Sequence, residues 1–180
     1  MAETLETKIA KRRLGIEEAK NLKIDSFKVN HLKLKHGIYV SRKDRTKHGD
    51  VVTTFDIRVC TPYEDKTMDS AAMHTIEHLG AAYLRNISPY KDSIVYFGPM
   101  GCLTGFYLII DGDLTPKDIW TDIVALFTYI EISKEVPGCT KEECGNYKFH
   151  NLEEAKKIAN RYLYGTLYKG AIPELTVYPA

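Results

Sequence analysis

The 180-residue sequence has no hydrophobic run long enough to cross a bilayer. Its longest apolar stretches, such as Phe106 to Ile110, are far shorter than the ~20 residues that a transmembrane helix needs. The segment from Met1 to Leu22 mixes acidic and basic side chains and has no apolar centre, so no secretory signal is expected. These absences predict a cytoplasmic chain with no membrane partner.

An excess of charge of one sign is also absent. Lysine and arginine number 25 against 24 aspartates and glutamates, which gives a net charge of +1 with neutral histidines. A general nucleic-acid binder needs a basic excess, so no nucleic-acid partner is expected. The apolar content of 44% and the charged content of 27% are typical of a globular protein.

Cysteines are few, and the glycine pattern of dinucleotide-binding proteins is missing. Four cysteines in 180 residues do not indicate a disulfide scaffold, and reduced thiols in the cytosol are the expected state. No strand is followed by G-x-G-x-x-G, so nothing indicates a nicotinamide cofactor. The composition changes only near Lys23. We therefore predict a charged N-terminal arm or helix over residues 1–23 and one domain over residues 24–180.

Hydrophobic patterning predicts strands in the first part of the chain and long helices later. Strands are expected over residues 26–34, 37–41, 51–59, 93–97 and 103–110. Helices are expected over residues 70–86, 116–133 and 152–168, the first capped by Asp69 or Ser70. This order is typical of an α+β fold, with a mostly antiparallel sheet packed against helices in a single layered domain.

The most informative motif is His74-Thr-Ile-Glu77-His78 on the first predicted helix. Histidines four residues apart lie on the same helix face, about 6 Å apart along the axis at ~1.5 Å per residue. Both imidazoles can therefore reach one metal ion, and Glu77 can reach a water or substrate beside it. The order H-x-x-E-H is the inverted form of a zinc-protease signature, although two histidines at this spacing also occur by chance.

Two histidines rarely hold a metal without a third protein ligand, and three arrangements are open. Cys144 would complete a His₂Cys site, which leaves one tetrahedral position free for water or substrate. Glu154 on the last predicted helix would instead complete the His₂Glu site of a metallopeptidase. Cys139 together with Cys144 would close a structural Cys₂His₂ site, as in a non-catalytic binding module.

Cys102 follows the turn Gly98-Pro-Met-Gly, in which proline and glycine allow a tight bend that displays the thiol at a strand edge. A thiol beside a cation or metal can exchange protons near neutral pH, whereas a buried cysteine is only a small apolar residue. Local sequence does not separate these two roles. Arg58 is interpreted as an edge cation in water in preference to an anion or hydroxyl anchor, and Ser26 and His31 are expected to be exposed.

Three motifs occur in order along the chain: His74-Thr-Ile-Glu-His78, Gly98-Pro-Met-Gly-Cys102-Leu-Thr-Gly and Glu143-Cys144-Gly-Asn. Together they resemble the S-ribosylhomocysteine lyases, the LuxS family. The resemblance covers about residues 26–163 and includes the segment Phe55-Asp-Ile-Arg58. It implies a LuxS-like homodimer with an active site at the subunit interface.

The resemblance also implies an activity. The thioether of S-ribosylhomocysteine would be cleaved to homocysteine and a dihydroxypentanedione, the precursor of autoinducer-2, by carbonyl migration and β-elimination. The product would serve quorum sensing, and the reaction would belong to the methyl cycle. The ligands His74, His78 and Cys144 would hold one divalent metal per subunit, natively Fe(II) and replaceable by Zn or Co, which acts as a Lewis acid.

Catalytic and substrate-binding roles follow from the same resemblance. Glu77 and Cys102 would move protons between neighbouring carbons of the sugar. Substrate contacts would come from the partner subunit, through Ser26, His31 and Arg58.

The sequence departs from the family pattern just before the Pro-Met-Gly-Cys turn. Many members carry an acidic residue and a serine there, whereas this chain has Val95-Tyr96-Phe97-Gly98. Tyr96 replaces the usual carboxylate, so contacts to the amino-acid end of the substrate are expected to differ. The metal and acid/base residues are unaffected.

Overall fold

The computed structural model describes residues 4–7, 9, 27–169 and 176–179. Within the predicted N-terminal arm, residues 5–7 and 9 are helical and exposed to solvent. Ser26, an expected substrate-binding residue, lies outside the described residues. Among the helices of the described ranges, none combines the length and the apolar composition that a membrane span requires.

An antiparallel sheet of four strands forms the centre of the fold. Its strands are β1 (Gly37–Arg45), β2 (Val51–Arg58), β3 (Ile94–Pro99) and β4 (Gly105–Asp111). The order across the sheet is β1-β2-β4-β3. The β-branched and aromatic side chains of β2 suit this central place, because such residues pack well on a pleated surface. The predicted α+β fold with a mostly antiparallel sheet is confirmed.

The strand predicted over residues 26–34 is wrong, because the backbone bonds locally there. The Asn30 carbonyl accepts hydrogen bonds from the N–H groups of Lys33 and Leu34 at 3.0 and 3.1 Å. The Asn30 side chain accepts another from the N–H of Leu32 at 3.2 Å. These bonds close a turn, a competition with regular structure that asparagine favours.

The helices begin at polar caps, as expected from the sequence. They are α1 (Ser70–Asn86), α2 (Pro116–Ile132) and α3 (Leu152–Gly165). Asp69 and Asn151 accept hydrogen bonds from the first turns of α1 and α3. Helix α3 ends at Gly165, before the predicted residue 168, and a single 3₁₀ turn follows over Leu167–Lys169.

The hydrophobic core lies between the helices and one face of the sheet. Side chains of β2 alternate between the two faces. Phe55 and Ile57 are fully buried in the core with apolar residues of all three helices, so Asp56 and Arg58 belong to the opposite, polar face. Burial of each large core side chain contributes about 1.5–3 kcal/mol. Helix α1 and the polar face of β2 therefore lie on different sides of the sheet.

Gly105 provides a test of the pairing between β2 and β4. A Cβ at this position would lie 2.5 Å from the Ile57 carbonyl oxygen and 3.2 Å from the Arg58 Cα. Because these are backbone atoms of a central strand, we expect Gly105→Ala to lower the free energy of unfolding by about 1–3 kcal/mol. Chemical denaturation measures the change.

The matched control is Gly101→Ala in the neighbouring turn, where a Cβ meets no atom within 4 Å. It should change the free energy of unfolding by no more than about 0.5 kcal/mol. Equal losses in the two variants would contradict the steric explanation.

Candidate metal centre and active site

Helix α1 presents the first two candidate ligands on one stripe. His74, Glu77 and His78 are half-buried, whereas the apolar residues of the helix are buried in the core. The two imidazole rings lie with their centroids 4.7 Å apart and their planes at 89°. The expected convergence of His74 and His78 is therefore present in the folded chain.

Backbone carbonyls of the loop between α2 and α3 select the tautomers of both rings. His74 Nδ1 lies 2.7 Å from the Phe149 carbonyl oxygen, and His78 Nδ1 lies 2.8 Å from that of Pro137. A carbonyl oxygen only accepts, so each Nδ1 carries the hydrogen and donates it. Each Nε2 thus keeps its lone pair, the arrangement typical of metal-ligating histidines.

Cys144 in the same loop has the geometry of a third ligand. Its Sγ lies 3.5 Å from His74 Nε2 and accepts the N–H of Asn146 at 3.4 Å. Two ligands of one tetrahedral zinc, with bonds of about 2.1 Å to nitrogen and 2.3 Å to sulfur, are about 3.6 Å apart. The separation fits one metal ion held between them.

His150, which none of the sequence motifs indicated, joins this cluster. The ligand atoms of His74, His78, Cys144 and His150 all lie within 4.8 Å of one another, so the group could hold a metal ion. Burial, with added repulsion from His74 and His78, lowers the pKa of His150 to about 4. The only signal in the sequence was a histidine directly before the cap of the last helix.

The two alternative ligands are elsewhere. Glu154 forms an ion pair with Lys157 at 3.6 Å and lines a different cavity together with Asp69 and Arg161. Cys139 lies outside the cluster, and its Sγ donates to the Tyr147 carbonyl at 3.0 Å. Within the part of the chain that the structure describes, neither the His₂Glu nor the Cys₂His₂ arrangement is formed.

A cavity of about 590 Å³ opens beside the cluster, and Glu77 lines it. Arg85 and Tyr96 are part of the same wall. A Cβ on Gly98 would lie 2.0 Å from the Tyr96 hydroxyl oxygen, so the tyrosine ring covers the glycine. The departure from the family pattern therefore places a phenol at this cavity, and the glycine makes room for it.

Cys102 faces a second cavity, of about 260 Å³, which it lines with His31 and Arg58. Its Sγ lies 3.1 Å from the Thr104 hydroxyl and 3.8 Å from Arg58 Nη1. The predicted display of this thiol at the turn is confirmed, because Cys102 is exposed. No residue lines both this cavity and the metal cavity, so Cys102 and Glu77 face different cavities of one chain. A third cavity, of about 190 Å³, lies between them and is lined by Glu77 and by Gly101 of the turn before Cys102.

The interpretation of Arg58 as an edge cation in water is wrong. Only 4% of Arg58 is exposed, and its guanidinium forms an ion pair with the buried Asp56. It also donates to the Thr104 hydroxyl at 2.5 Å. Burial by itself lowers the pKa of Arg58, but the Asp56 carboxylate outweighs it and raises the pKa above its usual value. Arg58 thus stays a cation within the second cavity.

Two further residues of the second cavity, His31 and Tyr178, have contacts that the sequence did not predict. His31 is half-buried, and its Nδ1 lies 2.8 Å from the Val29 carbonyl oxygen. Tyr178, near the C-terminus, donates to Asp56 Oδ2 at 2.8 Å and stacks on Tyr39 with centroids 4.9 Å apart. No pattern in the sequence linked this tyrosine to β2.

Comparison with known proteins supports the family that the three sequence motifs indicate. The sequence model of the S-ribosylhomocysteinase (LuxS) family matches residues 24–171. A protein of Clostridium acetobutylicum named S-ribosylhomocysteine lyase is 55% identical over 142 residues, 78% of this chain and 89% of the relative. Proteins of the same name from Clostridium beijerinckii and Borreliella burgdorferi are 52% and 51% identical, over 78% of this chain and 89% and 90% of their own lengths.

Gly138 tests whether the loop backbone orients His78. Its φ is +65°, a left-handed conformation that costs about 1–2 kcal/mol for a residue with a side chain. A Cβ there would also lie 3.4 Å from His78 Nδ1. We expect Gly138→Ala to weaken metal binding about 10-fold or more, as for other changes behind a metal ligand. Competition with a chelator measures the affinity.

The matched control for this loop is Gly145→Ala, since a Cβ on Gly145 meets no atom within 4 Å. It should leave the metal affinity within about 2-fold of that of the unchanged chain. An unchanged affinity in Gly138→Ala would show that the Pro137 carbonyl does not control His78.

Proposed function

The chain belongs to the LuxS family of S-ribosylhomocysteinases, and we propose that it cleaves S-ribosylhomocysteine to homocysteine and a dihydroxypentanedione, the autoinducer-2 precursor. It is a metal-dependent carbon–sulfur lyase. One observation carries this conclusion beyond the family match. Two histidines with free Nε2 lone pairs, a cysteine and a carboxylate converge at one cavity.

We propose His74, His78 and Cys144 as the ligands of one divalent metal per subunit. The donor set supports this, because both Nδ1 hydrogens are taken by carbonyls and the sulfur lies at a ligand-to-ligand distance. Fe(II) is proposed as the native ion, and Zn or Co accept the same donors. The bound metal supplies Lewis-acid stabilisation of negative charge on a substrate oxygen.

Glu77 and Cys102 are proposed as the acid/base pair. Carbonyl migration requires that a proton leaves one carbon and that another returns to its neighbour, at each step of the sugar chain. The position of Glu77 supports this role, because it precedes the proposed ligand His78 and lines the same cavity. In the last step it takes the proton next to the carbonyl while the carbon–sulfur bond breaks, and homocysteine leaves as the thiolate, which then takes a proton from water.

A homodimer is proposed to bring the two halves together. In a single chain Cys102, His31 and Arg58 line one cavity and Glu77 lines another. The acid/base pair would be complete where the polar face of one subunit meets the metal cavity of its partner. Ser26 is proposed to bind substrate with His31 and Arg58, all three contributed across the interface.

The remaining assignments follow the same reasoning. A reducing compartment, the cytoplasm, is proposed because the chemistry needs Cys102 and Cys144 as free thiols, the form in which both occur. Quorum sensing and the methyl cycle are the proposed settings of the reaction. The family match begins at residue 24, which supports an accessory arm over residues 1–23 ahead of a catalytic domain over 24–180.

The activity is tested with protein purified without oxygen, S-ribosylhomocysteine and a dye that reports new thiols. Thiol release is expected from the metal-loaded protein. Glu77→Gln and Cys102→Ser should each lower kcat about 100-fold or more, the usual contribution of an acid or base, with metal content unchanged.

Matched controls exist for both substitutions. Glu154→Gln removes a carboxylate outside the cluster, and Cys139→Ser keeps a donor for the Tyr147 carbonyl. Both should release thiol at nearly the normal rate. Absence of release from the metal-loaded protein would refute the proposed activity.

Whether the active site is shared between subunits is tested by dissociating the Glu77→Gln and Cys102→Ser dimers, mixing their subunits and letting them reassociate. If Glu77 of one subunit works with the partner's Cys102, each heterodimer has one intact site and one site with both changes. Half of the dimers are then heterodimers, so about one quarter of the normal activity should return. No recovery, with exchange of subunits verified by mass, would place both residues in the same subunit.

A further inference from the structure

His150 has one ring nitrogen without a partner. Its Nε2 is buried and makes no hydrogen bond within the described residues. The neighbouring ligand atoms of His74, His78 and Cys144 lie within 4.8 Å. A buried polar atom normally has a partner, and bulk water has no access to this one. Its partner is therefore a group that enters the cluster.

Thr75 determines which atom of His150 carries the hydrogen. The Thr75 hydroxyl donates its only hydrogen to the Ala71 carbonyl at 2.9 Å, and it accepts the N–H of Asn151 at 2.9 Å. His150 Nδ1 lies 3.2 Å from the same hydroxyl oxygen. With the hydroxyl hydrogen engaged elsewhere, Nδ1 must be the donor. The Nε2 of the neutral ring thus has a free lone pair and can only accept.

The ring orientation argues against direct coordination by His150. Its ring stacks on that of His74, with centroids 4.1 Å apart and planes only 14° from parallel. Stacked rings keep a separation of about 3.5 Å, and a ligating imidazole holds its metal close to the ring plane at about 2.1 Å. A single ion cannot lie close to the planes of two nearly parallel rings that are stacked on each other. The 3.5 Å approach of Cys144 Sγ to His74 Nε2 selects His74 as the ligand.

We propose that His150 stays outside the ligand set and that its Nε2 accepts a hydrogen bond from a substrate hydroxyl in the coordination position that the protein leaves open. His150 is then a positioning residue that orients the oxygen next to Glu77. The substrate in this inference rests on the proposed function, whereas the exclusion of His150 from the ligand set does not.

The first test uses cobalt(II) alone, because its visible spectrum reports the number and type of ligands. His150→Asn keeps a donor near the Nδ1 position for Thr75 and removes Nε2. We expect the variant to bind one cobalt ion per chain with an unchanged spectrum and an affinity within about 10-fold of normal. A changed spectrum, with a much larger loss of affinity, would make His150 a ligand and overturn the proposal.

The second test measures substrate binding without turnover, in a Cys102→Ser background loaded with cobalt. Adding His150→Asn should weaken the affinity for S-ribosylhomocysteine about 10-fold, the loss expected for one hydrogen bond to a buried acceptor. His150→Gln places an amide oxygen near the Nε2 position and should restore most of the affinity. Thermal unfolding of each variant checks that the fold is kept.

Two results would overturn the proposed role of His150 Nε2 as a hydrogen-bond acceptor for the substrate. One is an unchanged substrate affinity in His150→Asn. The other is an equal loss in the Asn and Gln variants, which would assign the effect to ring stacking on His74. If the background protein with His150 intact does not bind substrate at all, the proposed function fails, while the cobalt spectrum still decides whether His150 is a ligand.

Discussion

The hydrogen bonds from the two histidines of α1 to the loop after α2 organise the whole metal centre. They join residues that are 75 and 59 positions apart, His74 with Phe149 and His78 with Pro137. The same loop carries Cys144 and His150. The contacts that select the ring tautomers therefore also bring the other cluster side chains to the helix. Because backbone carbonyls accept these hydrogen bonds, the orientation of the two histidines depends more on the loop conformation than on the identity of most loop side chains.

The sheet separates helix α1 from Asp56 and Arg58, which line the second cavity on its polar face. Alternation along β2 sends Phe55 and Ile57 into the core and Asp56 and Arg58 to the other face. One strand thus supports both the packing beneath α1 and the buried ion pair beside Cys102. Cys102 and Glu77 line different cavities of one chain, and this separation is the physical basis of the proposed dimer.

Much of the fold followed from local patterns. The helix over residues 70–86 was predicted with the bounds that it has, because a capping aspartate and apolar residues at helical spacing act over a few residues. The strand at 51–58 was recognised from its β-branched run. The strand expected over 26–34 does not form, because Asn30 accepts hydrogen bonds from residues just after it in the chain. The alternation of apolar side chains gives no information about such local hydrogen bonds.

The sequence alone was enough to identify the family through three short motifs and to predict that His74, Glu77 and His78 share one stripe of a helix. Each depends on spacing within a single element, which helix and turn geometry translate directly into space. Tertiary packing brings His150 into the cluster, buries Arg58 against Asp56, and places Cys102 and Glu77 at different cavities. These relations join distant parts of the chain, and their geometry depends on packing that no local pattern encodes.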